Sequence, residues 1–367
     1  GEGTVEALTF GKEHVQTRTI PVTGPIGTEV SVGYTIYEQA GEKTAVLEMA
    51  QAAGLPLVPE EQRNPMHTTT YGVGEMIRDA IICGCRKFIL GIGGSATNDA
   101  GIGMLQALGF HFMDEAGREV GCGAEELAQV RSITTEDVMP ELASCTFQIA
   151  CDVTNPLVGA QGCSAVFAPQ KGADAKMVQE MDAAMNRYAD IVEDMYRKDP
   201  ALMENQLTGY DEAGKNVEKN DRQSQVKNRM TPGAGAAGGL GYACLRFLHA
   251  ALKPGIDIVL DEIQIAQAIK NADAVITGEG RFDAQTLMGK TPIGVARIAK
   301  AYEVPVYAFA GCFGADVQVC IDSGVFAGCY AASTASTEKE KRLAMEKRHA
   351  YANLKACVKA HFSIENL

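Results

Sequence analysis

Between residues 17 and 49, Val30, Val32, Tyr34 and Ile36 alternate with Glu29, Ser31, Gly33 and Thr35. A period of two is that of a strand with one face against a core. The run Gly24-Pro25-Ile26-Gly27 separates this stretch from Thr19–Val22 and predicts a hairpin, and Ala45–Met49 is a further short apolar run. Beyond residue 49 the pattern changes. Phe88–Ile92, Phe147–Ala150, Ala274–Thr277, Val304–Ala310 and Val325–Cys329 are continuous apolar runs, as expected of strands buried on both faces. Segments of helical period lie between several of them, including Gly103–Leu108 and Tyr242–Leu252. Met177, Met181, Met185, Tyr188, Val192 and Met195 step by three and four and mark one amphipathic helix. That methionine stripe reads as core packing rather than a cofactor surface. Strands alternating with helices predict an α/β fold with parallel sheets, and the 17–49 meander stands as a distinct element. Between Arg197 and Arg229 the chain is rich in Lys, Asp, Glu, Asn and Gln, which predicts a solvated excursion.

Composition narrows the class. The 367 residues are 46% hydrophobic and 22% charged, which excludes a disordered or collagen-like chain. At roughly 100–200 residues per domain, that length predicts two domains. Lys+Arg 33 against Asp+Glu 46 gives a net charge of −13, unfavourable for a nucleic-acid partner. No stretch approaches the ~20 apolar residues of a membrane span. The 11 cysteines are scattered, with no second pair beside Cys83 and Cys85 and no histidine at zinc spacing. They read as small core residues in a reducing, cytoplasmic setting. The histidines form no pair at metal or triad spacing and no Gly-x-Ser-x-Gly elbow occurs, so nothing points to a nucleophilic hydrolase.

Four segments carry candidate chemistry. Gly91-Ile92-Gly93-Gly94-Ser95-Ala96-Thr97-Asn98-Asp99 follows a buried-type strand. It matches a loose dinucleotide fingerprint, Gly91-x-Gly93-x-x-Ala96, with Asp114 downstream at a distance suited to a ribose contact. It equally suits an anion cradle of backbone N–H groups and hydroxyls with a carboxylate for Mg²⁺, or a tight turn capped by Asn98 or Asp99. Cys151-Asp152-Val153-Thr154-Asn155-Pro156 also ends a strand, where ligands of open α/β sheets collect. There Asp152 suits a general base, a metal ligand or an Asx turn. Nearby Lys171 offers a cation, although a single lysine in a turn is usually solvated. Pro232–Gly241 is a run of small residues that a ligand or another helix can approach closely. The fourth, Thr277–Pro292, crowds Glu279, Arg281, Asp283, Gln285 and Lys290 into a loop, ahead of a helix that Pro292 opens. Its residues 284–291 fall one short of a P-loop because Ala284 stands where the first glycine belongs, leaving a phosphate-facing Lys290 as the surviving expectation.

Together the blocks GIGGSATNDAG (91–101), CDVTNPLVG (151–159), PQKGA (169–173), PGAGAAGGLG (232–241) and TGEGRFDAQTLMGKTPIGVA (277–296) resemble the bacterial type I glycerate kinases. The resemblance covers nearly the whole chain. It implies two unlike α/β domains with the active site in the cleft. One, Rossmann-like with a parallel sheet, would join residues 1–14 to 255–367; the other, mixed and inserted, would span 15–254 and carry the β-meander. It also implies ATP-dependent phosphorylation of D-glycerate with Mg²⁺, giving 2-phosphoglycerate in preference to 3-phosphoglycerate. Family members open with a strand and a Ser/Lys-bearing loop and then reach a DGGEGT segment, whereas this chain opens at Gly1-Glu2-Gly3-Thr4. A strand-loop-helix is therefore expected to be missing ahead of Gly1, leaving sheet and helix surface uncovered in the Rossmann-like domain.

On this resemblance Gly93, Gly94, Ser95, Thr97, Asn98, Gly233, Gly235 and Lys290 are assigned to the nucleotide, with Asp99 near Mg²⁺. Asp152 is the first choice of base and Asp283 the second. Arg281 takes the glycerate carboxylate or γ-phosphate, Lys171 adds positive charge, and Asn155, Glu279 and Gln285 complete the substrate contacts. The rival readings are an NAD(P)-linked oxidoreductase using the 91–96 turn, and a non-catalytic fragment that binds glycerate or nucleotide.

Overall fold

The computed structural model describes residues 4–10, 12–198, 228–287, 290–333 and 347–361. Most of the solvated excursion expected at 197–229 lies outside the described residues. The chain divides into two units, Gly1–Gly255 and Ile256–Leu367.

The first unit is built on one six-stranded sheet. Its strands are β1 (Glu13–Thr23), β2 (Glu29–Gln39), β3 (Glu42–Glu48), β4 (Lys87–Gly91), β7 (Thr146–Ala150) and β8 (Ala251–Lys253), in that spatial order. A separate small antiparallel pair is formed by β5 (His111–Met113) and β6 (Ser132–Thr134). The expected hairpin is present, and a second one turns at Ala40-Gly41, both at positive φ as a two-residue hairpin requires. β1, β2 and β3 are antiparallel, while β3, β4, β7 and β8 run parallel. The meander is therefore not a distinct element. Its last strand is also the first strand of the parallel layer, because Ala45, Val46 and Leu47 are buried against neighbours on both sides.

Helices cover this sheet. The Tyr71–Ile82 helix is fastened to the meander by Asp79, which accepts a bidentate pair from Arg18 at 3.0 and 3.1 Å and the hydroxyl of Tyr34. The methionine stripe forms the Ala175–Lys198 helix, burying Met181, Met185, Tyr188 and Val192 as the period predicts, while Met177 and Met195 are half-buried and Tyr196 is buried beside the stripe. Tyr188 meets Phe112 and Tyr242 in the core. The Tyr242–Leu252 segment differs from expectation. Helical structure is entered at Ala236, inside the small-residue run, breaks at Ala237, Gly238 and Gly239, which have positive φ, and stops at Phe247, and Ala251–Lys253 is the strand β8.

The second unit holds a three-stranded parallel sheet in the order β11 (Gly328–Ala331), β10 (Val306–Phe313), β9 (Val275–Phe282). The Thr291–Ala301 helix opens at Pro292 as expected and buries Ile293, Val295, Ala296 and Ala299. Phe282 and Phe326 pack edge to face in this core. One boundary is corrected: the strand expected to end at Thr277 continues to Phe282, with Glu279 paired to Ala310 and Arg281 to Cys312. Alternating Gly278, Glu279, Gly280 and Arg281 looked like a loop because they are polar or small. An edge strand tolerates both, since one side faces no neighbouring strand among the described residues. Among the described residues, no helix is long and apolar enough to cross a membrane.

Candidate active site

The parallel strands β3, β4 and β7 end together, and a pocket of about 550 Å³ opens at that edge. Glu48, Gly91 and Ala150, the last residues of the three strands, line it. Leu47, Leu55, Ile92, Val153 and Phe167 give it an apolar floor. Glu48 and this floor were not singled out in the sequence, where Glu48 is simply the polar end of an apolar run.

The Gly-rich turn forms one wall. Gly93, Gly94 and Ser95 all line the pocket. Gly94 has φ +76°, and open space surrounds the position where a Gly93 side chain would stand. Among the described residues, the N–H groups of Gly93 and Gly94 donate to no backbone carbonyl, so both are available to an anion. Lys171 completes the wall from a short helical turn at Pro169–Lys171. Far from solvated, it is 2% exposed, and its ammonium donates to Ser95 Oγ at 2.7 Å and to the Thr97 carbonyl at 2.6 Å. Burial pushes Lys171 down to about 8, against the opposing influence of Cys163 and Asp99.

Downstream of Ser95 the turn leaves the pocket. Thr97, Asn98 and Asp99 are fully buried and none lines the pocket. Asn98 Nδ2 donates to Ser164 Oγ at 2.9 Å. The Asp99 carboxylate accepts the Thr70 N–H and hydroxyl, both at 2.8 Å, and the N–H groups of Gly101 at 3.1 Å and Gly103 at 3.4 Å. Burial pushes this carboxyl up, and these hydrogen bonds oppose the rise. Asp99 is thus a clamp between the turn and the segment before the Tyr71–Ile82 helix. The turn does not open a helix at Ser95, since the next helix starts at Ile102. Asp114 is occupied by its own turn, accepting from Ala116 and Arg118. Both features remove support from the dinucleotide reading.

Asp152 also lines the pocket, and its Oδ1 accepts the Gly255 N–H at 3.0 Å. It forms no ion pair with a described residue. Asn155 turns to its own loop, donating to the Gln161 carbonyl at 2.8 Å. Gly233 and Gly235 also lie off the pocket wall. A Cβ on Gly235 would come within 2.1 Å of the Pro156 carbonyl, and one on Gly238 within 2.0 Å of the Thr97 carbonyl. The small-residue run is a packing face that brings the Ala236–Phe247 helix against the turn, and Ala236 and Ala237 reach the pocket from it.

The second unit gathers its own polar group at the end of β9. Lys290 Nζ lies 3.8 Å from Glu279 and 3.6 Å from Asp283, and Arg281 Nε lies 3.6 Å from Asp283. Thr286, buried and not anticipated from the sequence, joins them: its hydroxyl donates to Glu279 and accepts the Asp283 N–H at 3.2 Å. The side chain of Gln285 lies outside the described residues.

A model of the glycerate kinase family matches residues 1–363. A glycerate kinase of Haemophilus influenzae is 45% identical over 328 residues, covering 89% of this chain and 78% of that protein. A glycerate 2-kinase of Escherichia coli is 42% identical over 325 residues, covering 89% and 77%. A crystal structure described as a glycerate kinase 2 from Salmonella typhimurium is 38% identical with a TM-score of 0.76, covering 100% of this chain and 88% of that one.

Proposed function

The chain belongs to the glycerate kinase family, and we propose that it transfers the γ-phosphoryl group of ATP to the 2-hydroxyl of D-glycerate, giving 2-phosphoglycerate. The observation that carries this reading is the Lys171–Ser95 pair beside the open Gly93–Gly94 turn, at the C-terminal edge of a parallel sheet. Fixed donors and a cation aimed at a phosphoryl group are the main demand of this chemistry. The name of the E. coli relative supports the 2-position.

In the proposed mechanism the Gly93 and Gly94 N–H groups, the Ser95 hydroxyl and the Lys171 ammonium hold phosphate oxygens. The glycerate hydroxyl oxygen attacks the γ-phosphorus, the bond to the β-phosphate oxygen breaks, and ADP leaves. Asp152, at the pocket wall, accepts the hydroxyl proton. In the second unit, Arg281 and Lys290 carry positive charge beside Asp283, and Thr286 is bonded to Glu279. Mg²⁺, when bound, offsets charge on the β- and γ-phosphates. Such an ion takes most of its ligands from phosphate and water and needs only one or two carboxylates. Glu48 on the pocket wall fits that donor set and leaves Asp152 free to accept the proton. Asp99, enclosed by four protein donors, does not.

The break after Gly255 supports the second boundary of the proposed domain plan. The scattered cysteines, with no disulfide among the described residues, support the proposed cytoplasmic setting. A coupled ADP-release assay with D-glycerate and Mg-ATP tests the activity, and phosphorus NMR of the product tests the position. ADP release that does not rise on adding D-glycerate removes the proposal.

A further inference from the structure

Ser95 lies in a turn whose backbone is held on both sides. Leu55 N–H donates to the Gly94 carbonyl and Ala96 N–H to the Ala53 carbonyl, both at 2.9 Å. These bonds clamp Ser95 against Gly54 and fix where its hydroxyl stands. Lys171 is fixed as well. It ends the short helical turn Pro169–Lys171, and Gly172 after it has φ +102°, where a Cβ would lie 2.2 Å from the Arg63 carbonyl oxygen. Only glycine allows that approach, so the turn carrying Lys171 packs directly on backbone. Ser95 Oγ and Lys171 Nζ meet at 2.7 Å, and both residues line the pocket although each is largely enclosed.

The hydrogen-bond partners of Lys171 are neutral oxygens, Ser95 Oγ and the Thr97 carbonyl. Lys87 and Lys176, which pair with Glu42 and Glu180, are exposed instead. Two further groups act on the Lys171 charge. Cys163 is a fully buried thiol pushed up to about 12 and so uncharged, and Asp99 is a buried carboxyl satisfied by Thr70, Gly101 and Gly103. Glu48 and Asp152 share the pocket without a hydrogen bond to Lys171. A buried lysine facing neutral oxygens gives up its proton readily, and burial brings Lys171 down to about 8. In the neutral amine one N–H stays on the Thr97 carbonyl, and the lone pair can accept the Ser95 hydroxyl across the same 2.7 Å. That is the arrangement of a serine nucleophile with a lysine base. Among the described residues the N–H groups of Gly93, Gly94 and Ser95 donate to no backbone carbonyl, which leaves donors on the same turn for an oxyanion. No Gly-x-Ser-x-Gly elbow announces the pair, because nucleophile and base stand 76 residues apart.

We propose that Ser95 and Lys171 form a nucleophile–base pair, and that the pocket hydrolyses small activated esters through an acyl-Ser95 intermediate. This goes beyond the phosphotransfer reading and stands without it, since phosphate binding uses the ammonium form of Lys171 and acyl transfer uses the amine. Ser95 Oγ attacks the ester carbonyl carbon while its proton passes to Lys171 Nζ. The carbonyl oxygen becomes an oxyanion. As it collapses, the bond to the alcohol oxygen breaks and the alcohol leaves with the proton from Lys171. Water then attacks the acyl carbon, passing a proton to Lys171. The bond to Ser95 Oγ breaks, the hydroxyl regains that proton, and the carboxylic acid is released. The apolar floor of Leu55, Ile92, Val153 and Phe167 suits a short uncharged acyl chain.

The test incubates the chain with p-nitrophenyl acetate, follows nitrophenolate release above the protein-free rate, and maps the acetyl group by peptide mass spectrometry after an acid quench. Acetyl on Ser95 is expected. Its rate should rise about tenfold from pH 7 to pH 9, as the amine grows from about 0.1 to about 0.9 of Lys171. Ser95→Ala should abolish it. Lys171→Arg should slow it by about 10²-fold or more, since arginine stays charged and cannot take the proton. Thermal melts report folding, and where a variant does not fold, the wild-type map and pH profile decide alone. No acetyl on Ser95 of wild type between pH 7 and pH 9, acetyl confined to Cys151 of the same pocket, a rate flat with pH, or wild-type labelling in folded Lys171→Arg each overturns the proposal. Ser95 acetylation in a chain that releases no ADP with D-glycerate and Mg-ATP supports it and overturns the phosphotransfer reading alone.

Discussion

The proposed phosphate contact of Lys171 predicts nucleotide binding that is sensitive to pH in a range where few side chains titrate. Its ammonium is buried and its pKa lowered to about 8, so the neutral amine is the form that burial favours. As pH rises through 8 the cation facing Ser95 is lost. With that value the protonated fraction is about 0.9 at pH 7, about half at pH 8 and about 0.1 at pH 9. If phosphate requires the ammonium form, the apparent Kd for ATP scales as one plus the ratio of neutral to charged lysine. It therefore weakens about tenfold between pH 7 and pH 9. The phosphates ionise below this range and do not contribute to the slope. A bound polyanion restores the proton, so binding at pH 8 should take up about half a proton from the buffer. Isothermal titration in buffers of different ionisation heat measures both quantities. Lys171→Arg keeps the charge at every pH and should flatten the profile, and Lys171→Met should flatten it at a uniformly weaker affinity. A Kd constant within twofold from pH 7 to 9 in wild type, or an unchanged slope in Lys171→Met, refutes the reasoning.

Other outcomes follow from the same geometry. Asp152→Asn should lower kcat by 10²-fold or more, in line with the usual ~10²–10⁴-fold contribution of a general base, while ATP binding by calorimetry stays near wild type. Asp99→Ala leaves the Thr70, Gly101 and Gly103 donors buried without an acceptor and should cost about 3–5 kcal/mol, read as a lower urea midpoint at unchanged Mg²⁺ dependence in any folded fraction. For Asp79, burial pushes the carboxyl up, but the Arg18 pair and the Tyr34 hydroxyl outweigh it and hold it below the ordinary carboxylate range. Its contribution is present above the unfolded carboxylate pKa and is lost as pH falls through the lower folded value. Because both partners are partly exposed, Asp79→Asn should cost only about 1–2 kcal/mol at neutral pH, and the gap to wild type in urea melts should narrow on acidification.

Much of the fold was legible because its signals are local. The alternation at 29–36 marks β2, and the three-and-four spacing of Met177 to Met195 marks a helix, since each pattern reports which face of one element meets the core. That the Gly93–Gly94 turn and Asp152 line one pocket was legible for a related reason: both follow apolar runs, which end together in a parallel sheet. The polar stretch after Thr277 misled because an edge strand imposes little pattern on its exposed side, so β9 read as a loop.

Composition, period and the order of motifs therefore determined the α/β class, the main strands and the family. Tertiary structure alone decided which polar residues line the pocket. Lys171 in a turn has the sequence of a solvated lysine, and only the Gly-rich turn packed over it, from a strand some 76 residues earlier in the chain, buries its ammonium against Ser95. Asp99 has the sequence of a metal ligand, yet donors from residue 70, outside its own turn, enclose it. Gly235 and Gly238 resemble a ligand cradle and instead admit backbone from residues 156 and 97. Burial and hydrogen-bond satisfaction depend on what distant segments bring to a side chain. Those terms set its charge and its availability, and neither is a property of the local sequence.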